Sequence, residues 1–325
     1  MTFRKLLIAA GALAALTSSS FAQDWPNRTV TMLIPFAAGG PIDVLGRILQ
    51  PYLSEQLGQQ VIIENVGGGG GMTGSLRVSQ AAVDSHMFVL GSIGTHAISQ
   101  SMHKKPPYHP GNDFQPAMLV ADAPLVLLVR KDLPASNLNE FIAYAKSNAG
   151  KMQFGSGGTG TSSHIGCVLL NQTIGVDVVH VPYRGGGPAL QDLVGGRLDY
   201  ICNYISTALT AVNSGQAKVL ATLASARAAA FADVPTADQQ GLKNFDISAW
   251  NAAFLPKSAT PQQVARLNKA LSAVQDNPGF RKRLEEQGLI GISPERRTPE
   301  YLAKFVASEI EKWAAPVKAS GVQTD

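Results

Sequence analysis

The sequence predicts an α/β protein with two lobes, and three observations support this prediction. Short apolar runs alternate with longer segments of helical period, which is the pattern of strands and helices in turn. A strand, a glycine-rich loop, a helix and a strand follow one another twice, within residues 30–64 and again within 152–181. The chain has 325 residues, 45% of them hydrophobic, and one core rarely serves more than about 250–300 residues. We therefore expect two mostly parallel sheets flanked by helices.

The first unit consists of a strand at 30–35, a helix at 43–57 that ends at Gly58, and a strand at 61–64. A loop of five glycines follows at 67–71. We interpret this loop as structural, because no helix with a recognisable cap comes directly after it.

The second unit repeats this order, with a strand at 152–154, a helix at 162–173 that ends at Gly175, and a strand at 178–181. Further strands are predicted at 87–90, 200–203 and 219–223, and helices that open with a Thr-Pro pair at 261–275 and 298–317.

Two further apolar runs, at 125–129 and 249–255, lie between the two halves of the protein, and we interpret them as strands that cross from lobe to lobe. Lobe one is then discontinuous and comprises residues 23–123 plus 252–325. Lobe two comprises residues 124–251.

Residues 1–22 have the pattern of a secretory signal peptide. Arg4 and Lys5 precede an apolar run at 6–16, and Ser20 and Ala22 are the small residues that a signal peptidase requires. A membrane anchor is the weaker interpretation, since the run is far shorter than the roughly 20 residues that cross a bilayer. No Cys lies near the cleavage site, which argues against a lipoprotein. We predict an exported, periplasmic protein.

The charge and the cysteines exclude other classes of protein. Without residues 1–22, which hold two of the 27 Lys and Arg and none of the 23 Asp and Glu, the net charge is +2, and the basic residues are scattered. This distribution argues against nucleic-acid binding. Cys167 and Cys202 favour two buried, inert thiols, although an exported chain can also oxidise such a pair.

The two glycine loops carry the prediction of a binding site. A turn from strand to helix exposes backbone N–H groups at the positive end of a helix dipole, which attracts an anion without any basic side chain. Gly39 and Gly40 form one such turn, and the loop at 155–160 forms another, with hydroxyl donors on Ser156, Thr161 and Ser162. A single loop of this kind is usually only a tight turn. Two at matching places favour an anion held between the lobes.

His164 follows the second loop, where it can donate a hydrogen bond to a carboxylate or satisfy neighbouring backbone groups.

Enzymatic interpretations are weaker. The loop at 155–160 matches G-x-G-x-x-G, but Asp177 precedes the next strand rather than ending it, and an exported protein has no supply of soluble nicotinamide cofactor. The six histidines have no metal-ligand spacing, and no G-x-S-x-G motif occurs. We expect no cofactor, no metal and no catalytic residues.

Taken in order, several short motifs resemble those of the Bug family, the TctC-type solute-binding proteins of tripartite tricarboxylate transporters. The resemblance covers essentially all of the chain after residue 22. The motifs are Trp25-Pro26, Pro35-Phe36-Ala37-Ala38-Gly39-Gly40 with Asp43, Gly91-Ser92-Ile93-Gly94-Thr95-His96, Gly155-Ser156-Gly157, His164, His180-Val181-Pro182-Tyr183-Arg184-Gly185, Asp192-Leu193, Val234-Pro235-Thr236, Trp250 and Trp313.

The resemblance implies a periplasmic Venus-flytrap fold, a carboxylate ligand in the cleft and no enzymatic activity. It places the ligand between the loop from Phe36 to Asp43 and the loop from Ser156 to His164. It implies Asp in many relatives where this chain has Asn203, a change that adds a donor and removes a negative charge. The expected ligand-binding residues are Phe36, Ala38, Gly39, Gly40, Asp43, Ser92, Thr95, Ser156, Gly157, Thr161, Ser162, His164 and Asn203.

The expected function is capture of a small organic carboxylate, such as an aliphatic di- or tricarboxylate or a terephthalate-like anion, by a monomer that delivers it to a membrane permease. Presentation of the ligand to a sensor protein is not distinguished from delivery. The alternative is an exported hydrolase or transferase that uses the same cleft.

Overall fold

The computed structural model describes residues 25–224, 227–243, 245–319 and residue 322. The signal peptide predicted at 1–22 lies outside the described residues.

All the predicted strands and helices are present, with ends that differ from the predictions by a few residues. The strands are β1 (Val30–Ile34), β2 (Val61–Asn65), β3 (Met87–Ser92), β4 (Phe114–Arg130), β5 (Gln153–Ser156), β6 (Val179–Pro182), β7 (Tyr200–Tyr204), β8 (Ala217–Thr222) and β9 (Ser248–Pro256). The α-helices are α1 (Pro41–Leu57), α2 (Met72–Ser79), α3 (Ser99–Met102), α4 (Pro110–Asp113), α5 (Leu138–Asn148), α6 (Ser162–Ile174), α7 (Gly186–Val194), α8 (Ile205–Asn213), α9 (Pro261–Asp276), α10 (Pro278–Glu286) and α11 (Pro299–Ala319).

The strands form one continuous path, β2-β1-β3-β9-β4-β7-β5-β6, and β8 also pairs with β4. We call β1, β2, β3, β9 and the first part of β4 the sheet of the first lobe. The sheet of the second lobe contains β5 to β8 and the last part of β4. The outer pairs β1–β2, β1–β3, β5–β6 and β5–β7 are parallel, as a β-α-β connection requires.

The strand pairs near the place where the two sheets meet are antiparallel. These pairs are β3–β9, β4–β9, β4–β7 and β4–β8. The sheets are therefore mixed rather than mostly parallel, because the strands that meet at the junction run against their neighbours.

Strand β4 joins the lobes. Its residues 114–124 pair with β9, and its residues 125–130 pair with β7 and β8. The predicted crossing by β9 is wrong, because β9 pairs only with β3 and with the first part of β4. The return to the first lobe occurs just before β9, where the N–H of Ile247 donates to the carbonyl oxygen of Leu223.

Local sequence explains the ends of the helices near the cleft. Helix α1 begins with Pro41, whose fixed φ suits a first helical turn, and ends at Gly58, which adopts the left-handed conformation with φ 69°. Helix α6 begins after Thr161, whose hydroxyl accepts from the N–H of His164, and ends at left-handed Gly175.

The five-glycine loop leads into a helix that has no side-chain cap. Residues Gly69–Gly71 form a 3₁₀ turn, and α2 begins at Met72. Gly71, the residue at the cap, has no side chain to accept a hydrogen bond, so the sequence carries no capping signal here.

The two cysteines form a disulfide, which makes the favoured interpretation of two inert thiols wrong. Cys167 on α6 and Cys202 on β7 have Cα atoms 5.3 Å apart, and both residues are fully buried. The packing of α6 on the sheet of the second lobe brings them together, a contact that the sequence alone does not show.

Within the part of the chain that the structure describes, none of the helices combines the length and the apolar character needed to span a bilayer.

Candidate functional site

A small cavity lies in the cleft where the two lobes meet. Its volume is about 20 Å³, room for little more than one water molecule. The residues that line it are Phe36, Pro41, Ile42, Ser92, Gly157, Thr161, Ser162, Ser163, Gly186, Asn203 and Tyr204.

Four helices begin at this cavity. Pro41 and Ile42 belong to the first turn of α1, Ser162 to that of α6 and Gly186 to that of α7, while Tyr204 is the cap of α8. The first-turn N–H groups of a helix have no carbonyl partner within the helix, and they lie at the positive end of its dipole. The cavity is therefore electropositive although none of its lining side chains is charged.

Loops of the two lobes are in direct contact around the cavity. The N–H of Ala37 donates to the carbonyl oxygen of Arg184 at 3.0 Å. A Cβ atom added to Gly40 would lie 3.5 Å from the nitrogen of Gly186, so the two backbones pack together. The predicted loops at Gly40 and Gly157 therefore face each other across one cleft.

The first loop, from Phe36 to Asp43, is stabilised by the carboxylate of Asp43. One carboxylate oxygen accepts from the N–H of Gly39 at 3.0 Å and from Arg47 Nε at 2.8 Å, and the other accepts from Asn65 Nδ2 at 3.0 Å. Burial raises the pKa of Asp43, but the hydrogen bonds from Arg47, Gly39 and Asn65 outweigh it, and the pKa lies below its ordinary value. Asp43 thus remains ionised and holds the loop, and it does not line the cavity.

Ala38 and Gly39 are exposed at the rim of the cleft rather than in the cavity. The carbonyl group of Gly39 lies close to the backbone of Gly187, where an added Cβ would meet it at 3.1 Å.

The second loop is stabilised by hydrogen bonds of its own side chains. Ser156 Oγ accepts from the N–H of Gly158 at 3.1 Å and lies 2.7 Å from His180 Nε2. The N–H of Gly157 donates to Ser163 Oγ at 3.0 Å. Ser156 is buried and does not line the cavity, whereas Gly157, Thr161 and Ser162 do.

His164 lies behind the second loop. Its Nδ1 accepts from the N–H of Gly160 at 3.1 Å, and its ring stacks on His180 with centroids 3.9 Å apart. Burial lowers the pKa of His164 to about 3, with a smaller contribution from His180, and burial lowers the pKa of His180 to about 4. Both rings are neutral at physiological pH, and of the two predicted roles for His164 the geometry shows the satisfaction of backbone groups.

Ser92 lines the cavity, and Thr95 lies behind it. Thr95 Oγ1 accepts from the N–H of Ser92 at 2.9 Å and hydrogen-bonds to His96 Nδ1 at 2.8 Å. The Ser92 hydroxyl makes no hydrogen bond to another described residue and is free to contact a ligand.

Two residues at the end of β7 complete the lining. Tyr204 Oη and Ser162 Oγ are hydrogen-bonded at 2.7 Å, and burial raises the pKa of Tyr204 to about 12 although the Ser162 hydrogen bond lowers it. Asn203 Oδ1 accepts from the N–H of Tyr204 at 2.9 Å, which leaves Asn203 Nδ2 as a donor.

Comparison with known proteins identifies the family. The family described as "Tripartite tricarboxylate transporter family receptor", TctC, matches residues 45–322. The chain belongs to the TctC family.

Three solved structures share the fold. MatC of Rhodopseudomonas palustris, solved with bound malate, is 39% identical with a TM-score of 0.87, over 90% of this chain and 100% of that one. The periplasmic binding protein BugD is 33% identical with a TM-score of 0.89, over 93% and 100%. The R. palustris protein Rpa4515, solved with adipate, is 28% identical with a TM-score of 0.87, over 92% and 99%.

These matches confirm the resemblance to the Bug and TctC proteins and the two-lobed fold of periplasmic binding proteins. They also confirm that the chain is a receptor of a transport system rather than an enzyme, because the TctC family consists of transporter receptors.

The TctC chain has a third loop at the cleft, which was not predicted from the sequence to be part of the binding site. It runs from Arg184 to Gly187 between β6 and α7, and it contacts Ala37 and Gly39 of the first lobe. The signal was present, because a strand followed by three glycines and a helix has the same form as the two predicted loops.

A larger cavity of about 280 Å³ opens beside this loop, lined in part by Gly68, Gly70, Thr159 and Arg184. The five-glycine loop of the TctC chain, which we interpreted as structural, therefore also borders this cavity. Across the described residues, His, Cys, Asp and Glu do not cluster in the groups of three that would hold a metal ion.

Proposed function

We propose that this protein captures a small organic carboxylate with two or more anionic groups, aliphatic or aromatic, in the periplasm and delivers it to the permease of a tripartite tricarboxylate transporter. The observation that carries the proposal is the cavity between the lobes, which is surrounded by the starts of four helices and by hydroxyl and amide donors. Such a site favours anions. Related proteins solved with malate and with adipate support the ligand class.

We assign two roles to the predicted site residues. Those that line the cavity, Phe36, Ser92, Gly157, Thr161, Ser162 and Asn203, contact the ligand. Gly40 and the rim residues Ala38 and Gly39 pack against the second lobe when the cleft closes. The remaining four, Asp43, Thr95, Ser156 and His164, hold the loops in position through hydrogen bonds to their backbone.

The mechanism is closure of two lobes about a hinge. The second lobe begins at residue 124, as predicted, but ends before β9 rather than at residue 251, because β9 pairs within the sheet of the first lobe. The hinge lies where β4 changes partner near Pro124 and where the chain returns before β9. A cavity of about 20 Å³ between loops in contact admits a carboxylate only after the lobes separate. The mature monomer, without residues 1–22, is the form that binds.

A thermal-shift screen tests the function. The panel contains succinate, L-malate, citrate, adipate and terephthalate. At one hundred times its dissociation constant a ligand stabilises the protein by about 2.7 kcal/mol, which raises the melting temperature by several degrees. Titration calorimetry of each hit and recovery of unchanged acid complete the measurement. A panel in which no acid raises the melting temperature contradicts the proposal.

Ser92→Ala tests the placement of the pocket. Because the Ser92 hydroxyl has no partner among the described residues, its loss should leave the unliganded melting temperature unchanged and weaken binding about fivefold, the equivalent of about 1 kcal/mol. Ser147→Ala, on the exposed face of α5, is the matched control and should bind like the wild type. Equal affinity of Ser92→Ala and Ser147→Ala would show that the pocket lies elsewhere.

A further inference from the structure

The cavity contains donors of hydrogen bonds but no ionised acceptor. Of the described residues, the eleven that line it include no Asp and no Glu. Among the described residues, the groups without a hydrogen-bond partner include the Ser92 hydroxyl, the N–H groups of Ile42, Ser162 and Gly186 in the first turns of α1, α6 and α7, and the Nδ2 group of Asn203.

The acid nearest to the site in the sequence cannot supply that acceptor. Asp43 is only 2% exposed, and its oxygens already accept hydrogen bonds from Gly39, Arg47 and Asn65. Its charge is paired with the guanidinium of Arg47, and neither residue lines the cavity. A cationic ligand group in the cavity would therefore find no free carboxylate.

The orientation of Asn203 is fixed by the backbone. Its Oδ1 accepts from the N–H of Tyr204, and an N–H cannot donate to the Nδ2 group, so Nδ2 is the atom left to face a ligand. The residue is 2% exposed, and the amide packs closely on Gly186, where an added Cβ would lie 3.2 Å from Nδ2. A hydrogen-bond donor thus occupies the position where a carboxylate side chain would accept a hydrogen bond from an ammonium group of the ligand.

We propose that the site selects dicarboxylates that carry no ammonium group, and that Asn203 is the residue that determines this selectivity. The inference rests on the proposed function and specifies its ligand class. An ammonium group enclosed among donors loses its hydration without gaining an ionised partner, which is costly. A hydroxyl group or a hydrogen at the same carbon is uncharged and does not have this desolvation penalty. A carboxylate oxygen of the ligand can accept a hydrogen bond from Asn203 Nδ2.

Three four-carbon acids isolate the effect, because succinate, L-malate and L-aspartate differ only in hydrogen, hydroxyl or ammonium at one carbon. Calorimetry on the wild type should show succinate or L-malate binding at least tenfold more tightly than L-aspartate. Adipate and 2-aminoadipate give the same comparison for a longer pocket. Asn203→Asp should reduce the preference at least tenfold, since its carboxylate still accepts from Tyr204 and offers the ammonium group a charged partner.

Controls separate the two proposals. Ser92→Ala, which changes no charge, should weaken all the acids and leave the ratio unchanged. Circular dichroism and the melting temperature establish that Asn203→Asp is folded, and the wild-type ratio tests the selectivity without any variant. Binding of L-aspartate as tight as that of L-malate, with 2-aminoadipate as tight as adipate, overturns the selectivity but leaves the proposed function intact. Failure of every acid to bind overturns the proposed function itself.

Discussion

At the scale of single residues, burial keeps the stacked rings of His164 and His180 behind the second loop uncharged. The two rings lie between Phe154, which stacks on both, and the loop whose backbone and Ser156 they contact. Neither ring has an acidic partner among its described contacts, so protonation would place a positive charge in a closed apolar stack. The folded conformation of the loop therefore requires both histidines to be neutral.

This arrangement makes the folded protein sensitive to acid. The pKa of His164 is lowered to about 3 in the folded state, while an unfolded histidine titrates near 6.5, so the unfolded state binds more protons between these values. The contribution of the neutral His164 to the free energy of unfolding is fully present above about pH 6.5 and is lost as the pH falls toward 3. His180 and the buried His96, whose pKa burial also lowers to about 3, act in the same direction.

His164→Asn tests this account, because Asn Oδ1 can replace the Nδ1 acceptor for the N–H of Gly160 but does not titrate. Between pH 6 and 4, the free energy of unfolding should fall less steeply in the variant, by up to about 1.4 kcal/mol per pH unit. Urea unfolding at several pH values provides the measurement. The exposed His109, changed to Asn, is the control. Identical slopes for the wild type and His164→Asn would contradict the assignment.

Residue types near the glycine loops were predictable from the sequence, but their roles were not. A Ser, Thr or Asp beside such a loop either contacts a ligand or caps the backbone, and both roles need the same side chain. The structure separates them by direction: the Ser92 hydroxyl faces the cavity, whereas the carboxylate of Asp43 turns back to Gly39.

At the scale of elements, the disulfide fixes α6 to β7 on the wall of the binding cleft. Cys202 directly precedes Asn203, and Cys167 lies little more than one turn along α6 from Ser162. The bond closes a loop of 35 residues. Restricting a loop of this length in the unfolded chain stabilises a protein by about 2–4 kcal/mol.

Replacing both cysteines by alanine should lower the free energy of unfolding by about 2–4 kcal/mol. Equilibrium unfolding in urea, with and without a phosphine reductant, is the measurement. Reductant should destabilise the wild type to a similar extent and leave the double variant unaffected, which controls for effects of the reductant itself. A wild type whose unfolding is insensitive to reductant present throughout the transition would contradict a stabilising disulfide.

Helices with side-chain caps were easier to predict than helices without them. Thr161, Thr260 and Thr298 accept from the first-turn amides of α6, α9 and α11, and the sequence shows each start. The starts of α2, α7 and α8 have no side-chain cap, so the sequence offers no capping residue at these positions. Helices α5 and α10 are exceptions, because Asn137 and Asn277 cap them with their side chains and neither start was predicted.

At the scale of the whole molecule, the presence of two lobes could be predicted from the sequence. The strand that connects their two sheets could not. Two separated β-α-β units require two sheets, but which strand runs through both depends on pairing between residues far apart in the chain. Only residues 125–129 of the 17-residue β4 were predicted as a strand. Pro116 and Pro124 lie in the part that was not predicted, and β-bulges at 116–118 and 119–121 accommodate the changes of register there.

At the contact between the two lobes, backbones approach each other without intervening side chains, and the proposed closure requires this contact. Gly40 has an ordinary backbone conformation, φ −82° and ψ 170°, so a residue with a side chain causes no backbone strain there. Within the first lobe, an added Cβ would lie 3.5 Å from the carbonyl oxygen of Ala37, an ordinary contact. Across the cleft, an added Cβ would lie 3.5 Å from the nitrogen of Gly186 and 3.8 Å from that of Gly187. A methyl group at position 40 therefore just fits, whereas the γ-methyl groups of valine would overlap the second lobe.

Gly40→Val should consequently bind carboxylates about tenfold more weakly or worse, the equivalent of about 1.4 kcal/mol, while Gly40→Ala remains close to the wild type. Small-angle scattering with saturating L-malate or adipate measures the shape directly. The wild type and Gly40→Ala should become more compact on adding the acid, and Gly40→Val should keep the larger radius of gyration of an open cleft. Compaction of Gly40→Val to the wild-type radius, with unchanged affinity, would show that contact between Gly40 and the loop at Gly186 is not required for closure.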